Sequence, residues 1–489
     1  MCLVGYLKEK THVSWVITAI CLGFLTGVAV VRWFPRIDKY SLWLLGFGIV
    51  LSLASLISRW RLMVAMAVLG GLVLGIVRSS GLLAGIDRYS DLVGDEVVVQ
   101  GTVADDPAMS RGLMTINLDQ PILTLGRRRY DLGGRIWASI KDGQPAKLLR
   151  YDRVKLSGTL DSGFGSYAAT LPGARLVEVA HPAGADPMGR IREHFADGLK
   201  KVMSRENADL GMGILTGQKA NLNERIKNAF MLASLTHVLV ASGYNLTVLV
   251  RFARRLLAKR SRLVAVVLSV TLVLLFTQLT GPSASMDRAV LVSIYSLLLW
   301  YVGRKSHPVT LLAIVATVTI MLDPSQLWGD VSWYLSFGSF AGVIILAPLL
   351  HDLIKVKWSL VQILLETVSA QLVTWPIIAV AMGKVSLVGL VTNLLVLPML
   401  PLAMLATFVA GLSTFLLPLA GAGIVALPAN ALLDWVKAVA SWGSTLPGAG
   451  LEYRLDLRVA GIYYLVMIAV ILVLKRLTKH NFYGDNVIE

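Results

Sequence analysis

Long apolar runs open the chain, give way to short alternating segments, and then return. Val13–Phe34, Tyr40–Ile57 and Leu62–Val77 are each near the ~20 residues a helix needs to cross the hydrocarbon core. They are predicted as transmembrane helices. Gly23/Gly27 and Gly71/Gly75 stand at GxxxG spacing, which lets helices approach closely. From about Gly94 to His181 no run is long enough to span. Val97, Val99 and Val103 alternate there with Gln100 and Thr102, and Met114, Ile116 and Leu118 with Thr115, Asn117 and Asp119. Similar segments follow at 136–140, 154–158 and 175–179. Gly- and Asp-rich turns separate them, so five or six short strands are predicted, enough for a small closed barrel.

The period lengthens again from Met188. Met188, Ile191, Phe195, Leu199 and Val202 recur every three or four residues, with Arg190, Arg192, Lys200 and Lys201 on the other side. That pattern predicts a basic amphipathic helix at the membrane surface. Asn221 and Glu224 have the spacing of a capping box opening a second helix, Leu222–Ala233. Apolar spans then resume near Leu235–Val250, Leu263–Leu279, Ala289–Val302, Val309–Leu322, Val331–Leu350, Leu360–Ala381, Leu387–Leu417 and Val459–Leu474. Pro398 and Pro401 interrupt Leu387–Leu417. Asp434 and Lys437 leave Ala422–Trp442 open between a span and an interfacial helix.

Composition narrows the class. The chain has 489 residues, is 55% hydrophobic and only 16% charged, with a mean hydropathy of +0.68. A soluble globule carries about 25% charged residues, and disorder needs low hydrophobicity. The expected fold class is a polytopic α-helical membrane protein with an inserted small β-barrel. Its expected divisions are 1–80, 94–182, 187–234 and 235–480. Cys2 and Cys21 are the only cysteines, too few for a disulfide framework.

The net charge of +16 is unevenly placed. One topology puts Arg59/Arg61, the 251–262 cluster, Arg304/Lys305, Lys355/Lys357 and Lys475/Arg476/Lys479 all on the cytoplasmic side. The barrel then lies outside. Residues 94–182 hold 11 basic and 10 acidic residues, with one basic run, Arg127-Arg128-Arg129, followed by Tyr130. Residues 188–262 hold 14 basic and 5 acidic residues.

Enzyme chemistry has no recognisable carrier. The seven histidines are scattered, and HxHxDH, HExxH, GxSxG and GxxxxGK[ST] are all missing. No metal, no cofactor and no catalytic residue is expected.

Three polar features lie within membrane-length segments, where such groups need a partner or water. The first is His237 with Ser242, Gly243 and Asn245. The second is Asp287-Arg288, where Arg288 either pairs locally or meets phosphate bidentately. The third is the pair of stripes Ser332/Ser336/Ser339 and Thr367/Gln371/Thr374. Each reads as helix packing or as the wall of a wet path.

Taken in order, these stretches resemble the ComEC competence family of DNA-uptake channels. Gly213–Gly217, Phe230 and His237–Gly243 resemble its central motif. Pro282–Ala289, Asp323-Pro324 with Trp333–Phe337, and Asn393-Leu394-Leu395 with Pro398 resemble three more. The resemblance implies an OB-type barrel and a path for single-stranded DNA lined by His237, Ser242, Gly243, Asn245, Arg288, Ser336, Gln371, Thr374 and Asn393. Arg127, Arg128, Arg129 and Tyr130 are the DNA-binding candidates of the barrel. Membrane lipid, a DNA receptor outside and an ATPase or ssDNA-binding protein inside are the implied partners, at the cytoplasmic (inner) membrane. Asn245 stands where family members often carry a second His. The C-terminal metallo-β-lactamase-like domain of many members is expected to be lacking. A secondary transporter for a small anionic solute is the competing class, since broken spans suit it, and a non-conducting membrane scaffold is a third.

Overall fold

The computed structural model describes residues 11–480 apart from 34–40, 59, 111–112, 132, 142–147, 183–185, 218–221, 240–245, 247–249, 251–253, 255–260, 282, 305–306 and 356–357. Three helices come first: Val13–Val30 (α1), Ser41–Ser58 (α2) and Arg61–Ser90 (α3). Eight strands follow: Glu96–Val103 (β1), Ala108–Ser110 (β2), Leu113–Leu125 (β3), Arg128–Asp131 (β4), Ile136–Lys141 (β5), Arg153–Thr159 (β6), Asp161–Ser162 (β7) and Ala169–Ala180 (β8). Next come Pro187–Val202 (α4), Arg205–Thr216 (α5), Glu224–Leu232 (α6), Arg262–Thr280 (α7), Ala284–Val302 (α8), Pro308–Leu322 (α9) and Gln326–Gly329 (α10). Val331–Ala341 (α11) continues through a π-turn into Ala347–Ile354 (α12). Ser359–Ala381 (α13), Lys384–Val385 (β9), Gly389–Val396 (α14), Leu400–Leu416 (α15), Leu419–Thr445 (α16), Leu451–Glu452 (β10) and Leu457–Thr478 (α17) complete the order. Nine helices among the described residues are long and apolar enough to cross a membrane, ten if α14 and α15, bent by 48°, form one span. The chain is therefore a multi-pass membrane protein carrying a β-barrel.

By contacts the chain divides into two units, 1–185 with 306–333, and 186–305 with 334–489. Segment 306–333, which hydropathy alone groups with the later spans, packs in the first unit. Its helix α9 joins α1 through the Thr18 and Thr310 hydroxyls, 3.0 Å apart. Glycines bring α1 and α3 together. A Cβ on Gly71 would stand 2.0 Å from the Ile20 carbonyl oxygen, and one on Gly23 would stand 2.1 Å from that of Val68. Only a bare backbone fits at this crossing.

Helix α3 runs further than its apolar stretch. Tyr89, near its end, is buried against the barrel core and donates its hydroxyl to the Gly133 carbonyl at 2.8 Å. The barrel closes in the order β1–β6–β8–β5–β3 and back to β1. Among the described strands only β5 and β8 pair in parallel. This mixed five-stranded barrel is the arrangement expected of the OB type. Val97, Val99, Val103, Ile116 and Leu118 point inward as their alternation requires. Each such residue contributes about 1.5–3 kcal/mol by leaving water. The β1–β3 register slips at Gly101, whose Cβ would lie 3.1 Å from Leu118 Cβ.

In the second unit, α5 is buried from Asn207 to Thr216. Ser204 caps its start and Gly217, at φ 77°, ends it. Helix α4 corrects the amphipathic pattern at two places. Ile191 is exposed, whereas Arg192 is buried and donates to the Leu279 carbonyl at 3.3 Å. The cap of α6 is Asn223, which accepts from the Arg225 N–H; the predicted Asn221 lies outside the described residues. Ala422–Trp442 resolves into the continuous helix α16. Two contacts tie remote ends together: β9 pairs with β10, and His480 Nδ1 lies 2.6 Å from Asp352 Oδ2.

Candidate functional site

In the second unit, a polar node forms where α6 ends. Ala233 and Ser234 leave that helix, and Ser234 holds a left-handed φ of 58°, a strained geometry for a residue with a Cβ. Three groups pin this turn. Thr392 Oγ1 donates to the Ala233 carbonyl at 2.7 Å. Ser386 Oγ donates to the Leu232 carbonyl at 2.8 Å. Gly389 meets it directly: a Cβ there would stand 2.7 Å from Ser234 Cβ and 3.0 Å from Gln371 Nε2. The break of the apolar run before Pro398 makes this possible, because the short helix α14 can angle its glycine face onto the turn.

His237 follows in the turn Thr236–Leu239. Leu235, Val238 and Leu239 are buried and anchor it, which leaves His237 exposed. Its imidazole bonds the Ser234 backbone. Asn393, one helical turn beyond Gly389, is buried, and its Oδ1 has no partner among the described residues. An unanswered buried amide oxygen costs about 1–3 kcal/mol unless water reaches it. The structure thus brings two sequence-predicted residues, His237 and Gln371, to this turn, and a third, Asn393, one helical turn beyond Gly389. It adds Ser234, Gly389 and Thr392, which sequence reasoning missed. The predicted Ser242, Gly243 and Asn245 lie outside the described residues.

The other predicted path residues fall elsewhere. Arg288, just past the first turn of α8, is buried with its guanidinium carbon 5.4 Å from the Phe337 ring centroid. The next-door Asp287 is exposed. This brings Arg288 to the helix that carries Ser336, itself half-buried with its carbonyl accepting from Ser339 Oγ at 3.0 Å. Thr374 sends its hydroxyl to the Ala370 carbonyl of its own helix at 2.9 Å, and Thr367 does the same toward Ile363. Those two hydroxyls are satisfied by backbone, which is the packing reading of their stripe.

On the barrel, Arg127, Arg128 and Arg129 are exposed at the β3–β4 hairpin. Tyr130 is half-buried and packs against the barrel core. Among the described residues no three His, Cys, Asp or Glu side chains are grouped to hold a metal.

Residues 214–477, more than half the sequence, match the competence protein family. The chain belongs to that family. The matched region contains the whole polar node together with Arg288 and Ser336. This competence protein is 22% identical over 223 residues to ComE operon protein 3 of Bacillus subtilis (strain 168). The alignment covers 45% of this chain and 28% of that relative. No solved structure matches it.

Proposed function

We propose that this competence protein is a channel conducting single-stranded DNA across the cytoplasmic membrane to the inside. The observation that carries the reading is the meeting of His237 and Gln371 at the Ser234–Gly389 contact, with the buried amide of Asn393 one helical turn beyond Gly389, amid apolar helices and within the family-matched region. Phosphates cannot cross hydrocarbon, so a conducting chain needs a polar route, and these groups are its candidate wall. Arg288 and Ser336, which lie apart from the node, are assigned to the same route. The barrel faces outside in this reading. Within the first unit, the ends of α1 and α9 and the outer part of α3 gather on the side from which the barrel continues. Trp328 donates to the Val28 carbonyl at 2.9 Å, and Arg78 donates to that of Met321 at 2.8 Å. The basic clusters then all fall inside.

The chain acts here as a conduit and not as an enzyme. A DNA receptor outside and an ATPase or ssDNA-binding protein inside supply delivery and force. The deciding experiment measures entry of labelled DNA into cells carrying Gln371→Leu, a change that keeps the size of the side chain and removes its polar amide from the node. Entry should fall at least tenfold with the protein still in the membrane. Unchanged entry removes the node from the route. The 48° break between α14 and α15 also suits a secondary transporter. Accumulation of a small anion without DNA entry would favour that class.

A further inference from the structure

A cavity of about 330 Å³ lies within the first unit, beneath the loop that joins β6 to β8. Residues 162–168 form one wall, the end of α3 with Asp87 and Tyr89 another, and Ser325 and Trp328 the floor. Its volume falls in the range of small-ligand sites. The loop is seated, not loose: a Cβ on Gly329 would stand 2.7 Å from Gly165 Cα. Trp328 is fixed through its bond to Val28. Phe164 remains 54% exposed, with its ring 5.3 Å from Tyr167 and 5.9 Å from Trp137. Trp137 meets the Phe164 ring edge-on at 68° and Tyr167 leans on it at 59°, so both brace an exposed aromatic ring at the cavity.

The lining decides what fits. Among the described residues it contains no Lys or Arg, and their one charged side chain is the carboxylate of Asp87. A phosphate is therefore unwelcome. A flat neutral group with amide and amine edges suits aromatic rings and serine hydroxyls. Positive charge stands elsewhere on the same barrel end. Val98 pairs with Thr124, and Glu96 pairs with Thr159. The Arg127–Arg129 hairpin that follows β3 and the loop that follows β6 therefore leave the barrel at one rim. We infer that the cavity takes one unstacked base of the entering strand, while the arginine hairpin holds the neighbouring phosphates. This rests on the DNA-conducting reading and adds to it the part of the strand that is gripped. Base stacking tolerates any sequence, because every base has a π-face.

The test uses the full chain in lipid nanodiscs, titrated with an oligo-dT strand and with an abasic strand of equal length and charge. The abasic strand should bind about tenfold more weakly, as loss of base stacking predicts. Phe164→Ala should weaken oligo-dT by a similar factor and leave the abasic strand unchanged, and Phe164→Tyr should restore binding. Replacing Arg127, Arg128 and Arg129 by Ala should weaken both strands equally and flatten the salt dependence. Equal affinity of the two strands, or a Phe164→Ala loss shared by both, overturns the proposal. So does a Phe164-dependent site that binds a lysine peptide and ignores bases. If Phe164-dependent base preference is present but cells import no DNA, the channel reading fails and the pocket stands. Import with no base preference removes the pocket alone.

Discussion

Thr392 donates its hydroxyl to the carbonyl of Ala233 at 2.7 Å. The bond crosses from the short helix before the Pro398 break to the turn that carries Ser234 and His237. Thr392→Val keeps the shape and removes the bond, leaving the carbonyl buried and unanswered. The expected cost is about 1–3 kcal/mol, read as a lower melting temperature of the detergent-solubilised protein. DNA entry should fall with it, because the same bond positions His237.

Helix packing in the first unit tolerates no side chain at Gly71. Gly71→Ala places a methyl 2.0 Å from the Ile20 carbonyl oxygen, so α1 and α3 must part. Loss of monodisperse protein is expected. Gly46→Ala, with nothing within 4 Å, is the matched control and should express normally. A folded Gly71→Ala protein would show that the crossing is looser than described.

Arg288 and Phe337 form a couple that a double-mutant cycle can measure. Their separation of 5.4 Å in a buried setting predicts a coupling of about 1–2 kcal/mol. Arg288→Lys should keep part of the DNA entry that Arg288→Ala loses, because charge survives and the planar fork does not. Normal entry in Arg288→Ala would reduce the residue to packing.

Tyr167, on the barrel loop, supplies a pH dependence. Burial pushes its phenol up to about 12, and the nearby Asp105 adds to this while Arg135 opposes it. A phenol raised in the fold stabilises the protein below its ordinary value near pH 10, and that stability is lost as pH climbs through 12. Barrel stability should therefore decline above pH 10, and Tyr167→Phe should lessen the decline. An identical profile in both proteins would remove Tyr167 as the cause.

Sidedness is open to labelling. With Cys2 and Cys21 replaced, a cysteine at Ser162 should react with an impermeant thiol reagent in intact cells. One at Ser261 should react only after permeabilisation. The reverse pattern would invert the topology.

Much of this was legible in the chain. Apolar runs of membrane length mark helices because lipid allows little else, and the period of two marks the barrel strands. What escaped depends on partners far away in sequence. The last turns of α3 look polar, with Asp87 and Arg88, yet stay helical where Tyr89 enters the barrel core. Arg192 reads as a surface residue and is buried because Leu279, 87 positions on, offers a carbonyl. In the polar node, His237, Gln371 and Asn393 stand out as polar groups in apolar surroundings. Ser234 and Gly389 do not, since a close approach between a turn and a remote helix leaves no local pattern.

Helix α3 has 30 residues and no proline, so at 1.5 Å per residue it is a strut about 45 Å long. Its first half packs against the glycines of α1, and its far end is plugged into the barrel by Tyr89. The barrel also rests on α10 through Gly165 and Gly329. Two such fixings hold the barrel to the helices of this unit. Force applied to the barrel is therefore passed into the helices of this unit, and the barrel acts as their anchored collar.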